Sequence, residues 1–562
     1  MSSGIGNDGP WPLRAWGLTL LGGLTGLAIH LIVEPGDLSY DATPLLLALA
    51  TFLGVGALAF GFVVERGRTL SSLAFAVVAG LVVAFTIYWN QPLGGHSYGE
   101  PWRILCGALT VGIAAPLFQA LRDRETGARL SYSNVYNRAW VNAVLWCDVW
   151  VFVGIVWLMA WLLSSLFNLI GIAVLKELLR KDWAGLVLSG AALGASTGLL
   201  RDRESVLGLL QRVMTTVLST LAPVLAFGLL VFLAALPFTG LAPLWEATRS
   251  TTPILLFCVI GALVLANAVI GDLPEHEARH PVLRLSVPAL GLAMLPLGII
   301  AAVSTGSRIQ QHGLTPDRLW AVVFVAIAIA YGFAYLWAVV RGRLAPAAVI
   351  RSANLKLAFA LCALAFVLST PLVNFGALST RNQLARLESG AVSPEAFDWA
   401  ALRFDFGPSG VAALKTLAKD GKTPAIREAA ADALEKQTRH EFPDRSAPPV
   451  TDDQLTILPV PTPLPAELRA ILPRHGACNH EARCAVIHEA GSDEAILVTP
   501  GWITVWRREG DTWVNANEEA TEDYAAKAQR LAAGLKAGQV EVRTVTRRQV
   551  YVAGEPHGQP FE

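Results

Sequence analysis

The sharpest chemical spacing in this 562-residue chain is His276-Glu277-Ala-Arg-His280. On a helix, H-E-x-x-H puts two imidazoles on one face to hold Zn²⁺, with the Glu as general base. Pro274 and Pro281 bracket the motif, and proline disfavours helical geometry at the residue before it, here His280. No third ligand stands nearby, so a solvated inter-helix loop outweighs a zinc metalloprotease site. Asp148 is the second candidate. An acid inside a long apolar run is costly enough in a bilayer to suggest function. Helical spacing puts Trp146, Trp150, Trp157 and Trp161 on one face. Asp148, Phe152, Ile155 and Met159 fall roughly opposite, which would aim the acid into a bundle for ion or proton movement. A lone acid without a basic partner supports a relay weakly, and a protonated state or a hydrogen bond to Asn142 or Asn267 is favoured.

The remaining candidates have simpler readings. Cys478 and Cys484 are the one cysteine pair in polar sequence and would suit a structural disulfide better than zinc or redox chemistry. Cys106, Cys147, Cys258 and Cys362 sit in apolar runs, where a thiol behaves as a small hydrophobe. Tyr331 and Tyr335, one helical turn apart, suit packing or an interfacial belt better than a cavity wall. His30 reads as an interfacial histidine, and Lys176, Arg180, Lys181 and Arg129 as flanking charges. Asp493-Glu494 supplies two acids where calcium takes six or more oxygens. Nothing here calls for a cofactor, and a formal net charge of zero gives no reason to expect nucleic acid.

The elements that carry these residues are membrane spans. Hydrophobic residues make up 53% and charged residues 16% of the chain, against about 25% charged in soluble domains. By the length of about 20 apolar residues needed to cross a bilayer, eleven spans are expected. They are Ala15–Val33, Pro44–Val64, Leu70–Trp89, Ile104–Leu121, Trp140–Leu166, Trp183–Leu200, Thr216–Leu236, Pro253–Ile270, Leu285–Ser304, Leu319–Val340 and Leu357–Asn374. Trp183–Leu200, short and rich in Gly, Ala and Ser, reads equally as a close-packed crossing or a re-entrant segment. The first span lacks a cleavage-site pattern and is expected to be retained. With the N-terminus in the cytoplasm, sixteen Lys and Arg fall in inside segments and seven outside, which favours that orientation. An odd number of spans then exports the C-terminal tail, where a Cys478–Cys484 disulfide is permitted. Ahead of the tenth span, Thr315, Pro316 and Asp317 form a clear helix start.

Asn142 through Leu179, with its Trp-rich span running into LFNLIGIAVLKELL, resembles a family of bacterial inner-membrane proteins catalogued as domain of unknown function 4153. Leu236-Pro-Phe-Thr-Gly240, Ala266-Asn-Ala268, the GLTPDRLW stretch and Phe397-Asp-Trp-Ala-Ala-Leu-Arg-Phe-Asp405 share the resemblance, which spans most of residues 40–435. It implies a polytopic α-helical fold and a membrane location, and it brings no catalytic residues.

Residues 1–375 are thus expected to form a polytopic transmembrane domain. Residues 376–440 form a helical segment in which Val411–Ala418 and Pro424–Leu434 resemble one HEAT-type pair. Residues 441–465 read as a Pro-rich linker. Residues 466–562 read as a small exported α+β domain, with strands at Cys484–His488, Ala495–Thr499, Ile503–Arg507 and Thr512–Asn515. A helix at Glu519–Ala537 and strands at Val540–Thr546 and Gln549–Ala553 complete it. The leading functional expectation is a non-enzymatic bacterial inner-membrane protein. Its periplasmic domain would sense, bind or assemble with a protein or small molecule. A small-solute or ion transporter using Asp148 is the alternative, and the lipid bilayer is an expected partner.

Overall fold

The computed structural model describes residues 11–33, 43–90, 101–124, 130–240, 251–343, 345–439, 442, 455–458, 464–465, 468–469, 484–488, 491–498, 503–510, 512–515, 548–552 and 555–561. Eleven helices among them are long and apolar enough to cross a membrane. They are α1 (Pro12–Val33), α2 (Pro44–Val63), α3 (Thr69–Asn90), α4 (Pro101–Arg122), α5 (Tyr132–Leu169) and, beyond the six-residue α6 (Val174–Leu179), α7 (Asp182–Arg201). The rest are α8 (Glu204–Thr239), α9 (Thr251–Ile270), α10 (Pro281–His312), α11 (Pro316–Gly342) and α12 (Ala347–Ser369). Every expected span coincides with one of them. Several run longer than hydropathy alone indicates. The 38 residues of α5, at 1.5 Å each, exceed a bilayer core of about 30 Å, because polar first turns continue the helix past the apolar run.

Trp183–Leu200 lies within α7, a full 20-residue helix. It packs antiparallel along α1: Gly198 meets Ala15, Gly194 meets Leu18, Gly190 meets Gly22, and Leu186 meets Gly26. A Cβ at Gly190 would collide with the backbone carbonyl of Gly22, and one at Gly194 with that of Leu18. Small residues therefore set the helix separation, and the run of Gly, Ala and Ser is the mark of a close crossing. Gly190→Leu is expected to force these helices apart and destabilise the bundle by at least about 1–3 kcal/mol. Gly17→Leu, at a position with nothing within 4 Å, is expected to change little. Thermal unfolding of the two variants in detergent checks both outcomes.

The spans form two sub-bundles, α1–α5 with α7 and α8–α11, and α12 packs between them against both α4 and α11. The second, with the start of α12, holds the largest core, built on Leu290, Met294, Leu297, Tyr335 and Ile350. At one end of the bundle α13 (Phe375–Glu388) docks on the α10–α11 connection. Gln383 Nε2 donates to the carbonyls of His312 (2.9 Å) and Leu314 (3.0 Å), and Asn382 Oδ1 accepts from Leu314 N (2.8 Å). Arg386 donates to Gln311 O at 2.8 Å, so α13 satisfies carbonyls that the end of α10 leaves open. Thr315 caps α11 as its sequence requires, accepting from Arg318 N. Beyond α13, a π turn at Ala401–Asp405 leads into α14 (Gly407–Asp420) and α15 (Pro424–Glu435), which cover both expected tail helices.

Compact units divide at Leu434/Glu435. The second contains a five-stranded sheet in the order β1 (Leu455–Leu458), β2 (Cys484–Ile487), β3 (Glu494–Val498), β4 (Ile503–Glu509) and β5 (Thr512–Asn515). β2 to β5 form the expected antiparallel meander, and β1 pairs parallel to β2. Residues 455–458, read as linker from their neighbouring prolines, are thus a strand: Leu-Thr-Ile-Leu itself contains no proline. Leu468, Val486, Leu497, Trp506 and Trp513 form this unit's core. β6 (Arg548–Val552) and β7 (Glu555–Phe561) make a separate hairpin. The expected helix at Glu519–Ala537 and strand at Val540–Thr546 lie outside the described residues.

Candidate functional site

The H-E-x-x-H spacing is not on a helix. Pro274–His276 form one 3-10 turn, and each motif residue takes a different partner. His276 Nδ1 lies 2.6 Å from Asp272 Oδ1, Glu277 Oε1 accepts from Arg351 Nη2 at 2.7 Å, and His280 Nδ1 accepts from Val282 N at the start of α10. The described residues contain no group of three or more His, Cys, Asp or Glu able to hold a metal. Cys484 lies in β2, and Cys478 lies outside the described residues.

Asp148 sits on α5, half-buried, and its Oδ2 is buried without a hydrogen-bond partner among the described residues. The two asparagines expected beside it are occupied elsewhere: Asn142 donates to Gln119 Oε1 at 2.9 Å, and Asn267 bonds α11 and α12. Neither face inferred for α5 is its buried one. Val144, Leu145, Val149 and Val153 form the packed stripe, while Trp150, Trp161, Ile155 and Met159 are all exposed. Tryptophan bulk suits a lipid-facing surface, and the slimmer aliphatic side chains let neighbouring helices approach.

Two polar assemblies occupy the bundle end opposite α13. In the first, Glu65 and Asp123 hold four arginines. Glu65 pairs with Arg122 (2.7 Å), Arg138 (3.3 Å) and Arg201 (3.7 Å). Asp123 pairs with Arg138 (2.5 Å), Arg68 (2.9 Å) and Arg122 (3.3 Å). Arg122 also donates to Val63 O at 2.8 Å, and Arg201 to Phe62 O at 2.5 Å. α2, α4 and α7 all end here, and their C-terminal partial negative charges offset the excess of guanidinium. The cluster is a charge lock across α2, α4, α5 and α7, with each of its four arginines paired to Glu65 or Asp123.

The second assembly crosses the seam between the sub-bundles. Asn267 Oδ1 accepts from Tyr132 (3.3 Å) and Asn354 (2.7 Å), while its Nδ2 donates to Tyr335 Oη (2.7 Å) and Leu263 O (2.8 Å). Both donors and both lone pairs of that amide are used. Tyr335 Oη donates onward to Asn354 Oδ1 at 3.1 Å, and Tyr136 Oη to Asn267 O at 3.2 Å. Tyr335 is fully buried, so this tyrosine is a network member rather than part of a belt. An open cleft of about 230 Å³ lies over the network, lined by Tyr132, Tyr136, Trp140, Asn267, Tyr331 and Asn354 among others. Arg351, buried, closes the end of α9 by donating to the carbonyls of Ile270 (2.6 Å), Gly271 (3.3 Å) and Leu273 (3.1 Å). Asn267 was visible in sequence as one amide between alanines near a span's end; the convergence of Tyr132, Asn354 and Tyr335 upon it was not.

Asp272 completes the seam, accepting from Ser133 Oγ (2.7 Å) and Asn137 Nδ2 (2.9 Å) besides its His276 contact. Burial pushes its pKa up, but hydrogen bonds from Ser133, His276 and Asn137 outweigh that and hold the carboxyl below the usual carboxylate range. A depressed folded pKa contributes stability that is present above the unfolded value of about 4 and lost as pH falls through the folded value. Asp272→Asn is therefore expected to flatten the acid limb of thermal stability below about pH 4, as measured by unfolding in detergent between neutral and acid pH.

A family model described as a domain of unknown function (DUF4153) matches residues 38–417, more than half of the chain. No curated protein and no solved structure matches.

Proposed function

The chain belongs to the DUF4153 family, and from that premise we propose that it is a non-enzymatic protein of a bacterial inner membrane whose bundle anchors an exported binding or assembly module. One observation carries this reading. α13 leaves the bundle at the end opposite Arg68, Arg122, Arg138 and Arg201. Arginine-rich ends face the cytoplasm, which supports a periplasmic side for α13 and for the chain that follows it. That side permits a Cys478–Cys484 disulfide and contact with a periplasmic protein or small molecule. The polar residues of the bundle support the same reading, since they are spent on helix ends and on the seam. Truncation after Glu435 tests it. The shortened protein should reach the membrane with its bundle folded and lose the phenotype of the intact gene; a fully active truncation would exclude the module's role.

A transporter is the second reading, favoured by the buried Oδ2 of Asp148, which has no hydrogen-bond partner among the described residues. It requires Asp148→Asn to lower solute or ion flux in proteoliposomes at least about tenfold, a barrier change of about 1.4 kcal/mol. Flux at the unmodified level would remove it.

A further inference from the structure

The cleft at the seam has a chemistry that selects its occupant. Its lining contains no Asp, Glu, Lys or Arg. The nearest charged groups are already engaged, Arg351 by three carbonyls and Glu277, and Asp272 by Ser133, Asn137 and His276. An anionic or cationic head would lose hydration here without gaining a counter-charge. What stays open is neutral hydrogen bonding. Asn267 is saturated, whereas Asn354 Oδ1 accepts from Tyr335 among the described residues and has a second lone pair. Tyr331, on the cleft wall, makes no hydrogen bond to another described residue and can both donate and accept. A group that donates to an amide oxygen and exchanges bonds with a phenol is a hydroxyl.

The walls say what carries that hydroxyl. Val135, Ala139, Leu263, Leu355 and Ala358 are apolar and line the same cleft. Tyr132, Tyr136 and Trp140 stand in a row, with ring centroids 5.6 and 6.2 Å apart. Asn267 is three residues from the end of α9 and Asn354 seven from the start of α12. At 1.5 Å per residue, the polar floor lies roughly 5–10 Å inside the helix ends, at the depth where headgroups meet acyl chains. We propose that this cleft binds an uncharged, hydroxyl-bearing bilayer lipid of the diacylglycerol class, with its hydroxyl between Asn354 and Tyr331 and its chains along the apolar walls.

The test uses the full chain in phosphatidylcholine nanodiscs carrying a diazirine-labelled diacylglycerol, with cross-links mapped by peptide mass spectrometry. Cross-links should concentrate on residues 132–140 and 354–358. Unlabelled dioleoylglycerol should compete, and equal phosphatidic acid should not. Asn354→Leu should lower labelling there at least about fivefold. Because Asn354 also bonds Asn267, Tyr331→Phe serves as the second variant; it removes a hydroxyl that has no hydrogen-bond partner among the described residues and should lower labelling while leaving thermal stability unchanged. Labelling spread evenly over exposed residues such as Phe227 and Phe257, or equal competition by phosphatidic acid, would overturn the proposal. So would competition by water-soluble 1-hexanol with none by dioleoylglycerol, or full labelling of both variants.

Discussion

Glu65→Gln is expected to destabilise the bundle by on the order of 3 kcal/mol or more, the range for breaking a buried ion pair from one side. The reason is the number of cations left behind. Arg122, Arg138 and Arg201 share this carboxylate, and the side chains of Arg122 and Arg201 are only 7% and 10% exposed. Glutamine keeps the volume and one acceptor but removes the charge around which three guanidiniums gather. Asp123 cannot replace it for Arg201, which it does not contact among the described residues. Thermal unfolding in detergent should show the loss, and Arg68→Gln supplies the contrast. Arg68 is 48% exposed, and its removal should stay within about 1 kcal/mol. A Glu65→Gln protein as stable as the parent would mean that the helix termini alone hold the arginines in place.

Arg351→Met carries the second large effect. Methionine preserves most of the apolar stem and removes the guanidinium that closes α9. The carbonyls of Ile270, Gly271 and Leu273 lose their shared donor, and Glu277 loses its partner. Each buried acceptor left unpaired costs about 1–3 kcal/mol, so a total of about 3 kcal/mol is expected even with partial rehydration. The loss should be local before it is global. Hydrogen exchange in residues 270–281 should accelerate ahead of the core of α10. Glu277→Gln should be milder, because Glu277 is 28% exposed and Arg351 keeps its carbonyl bonds.

The spans were legible because backbone groups in lipid must be satisfied internally, by helices or closed barrels, and continuous apolar runs of about 20 residues fit helices rather than the short alternating strands of a barrel. The helix start at Thr315-Pro316-Asp317 was legible for a similar reason, since capping depends on neighbours in sequence. The face of α5 was misjudged because tryptophan and aliphatic side chains are both apolar, and hydropathy does not separate lipid contact from helix contact. H-E-x-x-H was weighed against its flanking prolines, and the backbone of His280, ahead of Pro281, is extended rather than helical. The seam could not be read in advance. Tyr132, Asn267, Tyr335 and Asn354 come from four helices spread over more than 220 residues, and nothing local pairs them. Glu65 and Asp123 likewise find their arginine partners only where the ends of α2, α4 and α7 come together, which no local pattern specifies.

The central claim is that the arginine-rich end and the α13 end face opposite sides of the membrane, with the tail outside. Single cysteines at Arg66 and at Ser389, both exposed, in a background with the six native cysteines replaced, test it directly. A membrane-impermeant maleimide added to intact cells, with the outer membrane permeabilised, should label position 389 and leave position 66 untouched until the cells are lysed. Labelling of position 66 with protection of position 389 would invert the orientation. Labelling or protection of both alike would break the eleven-span alternation on which the exported module rests.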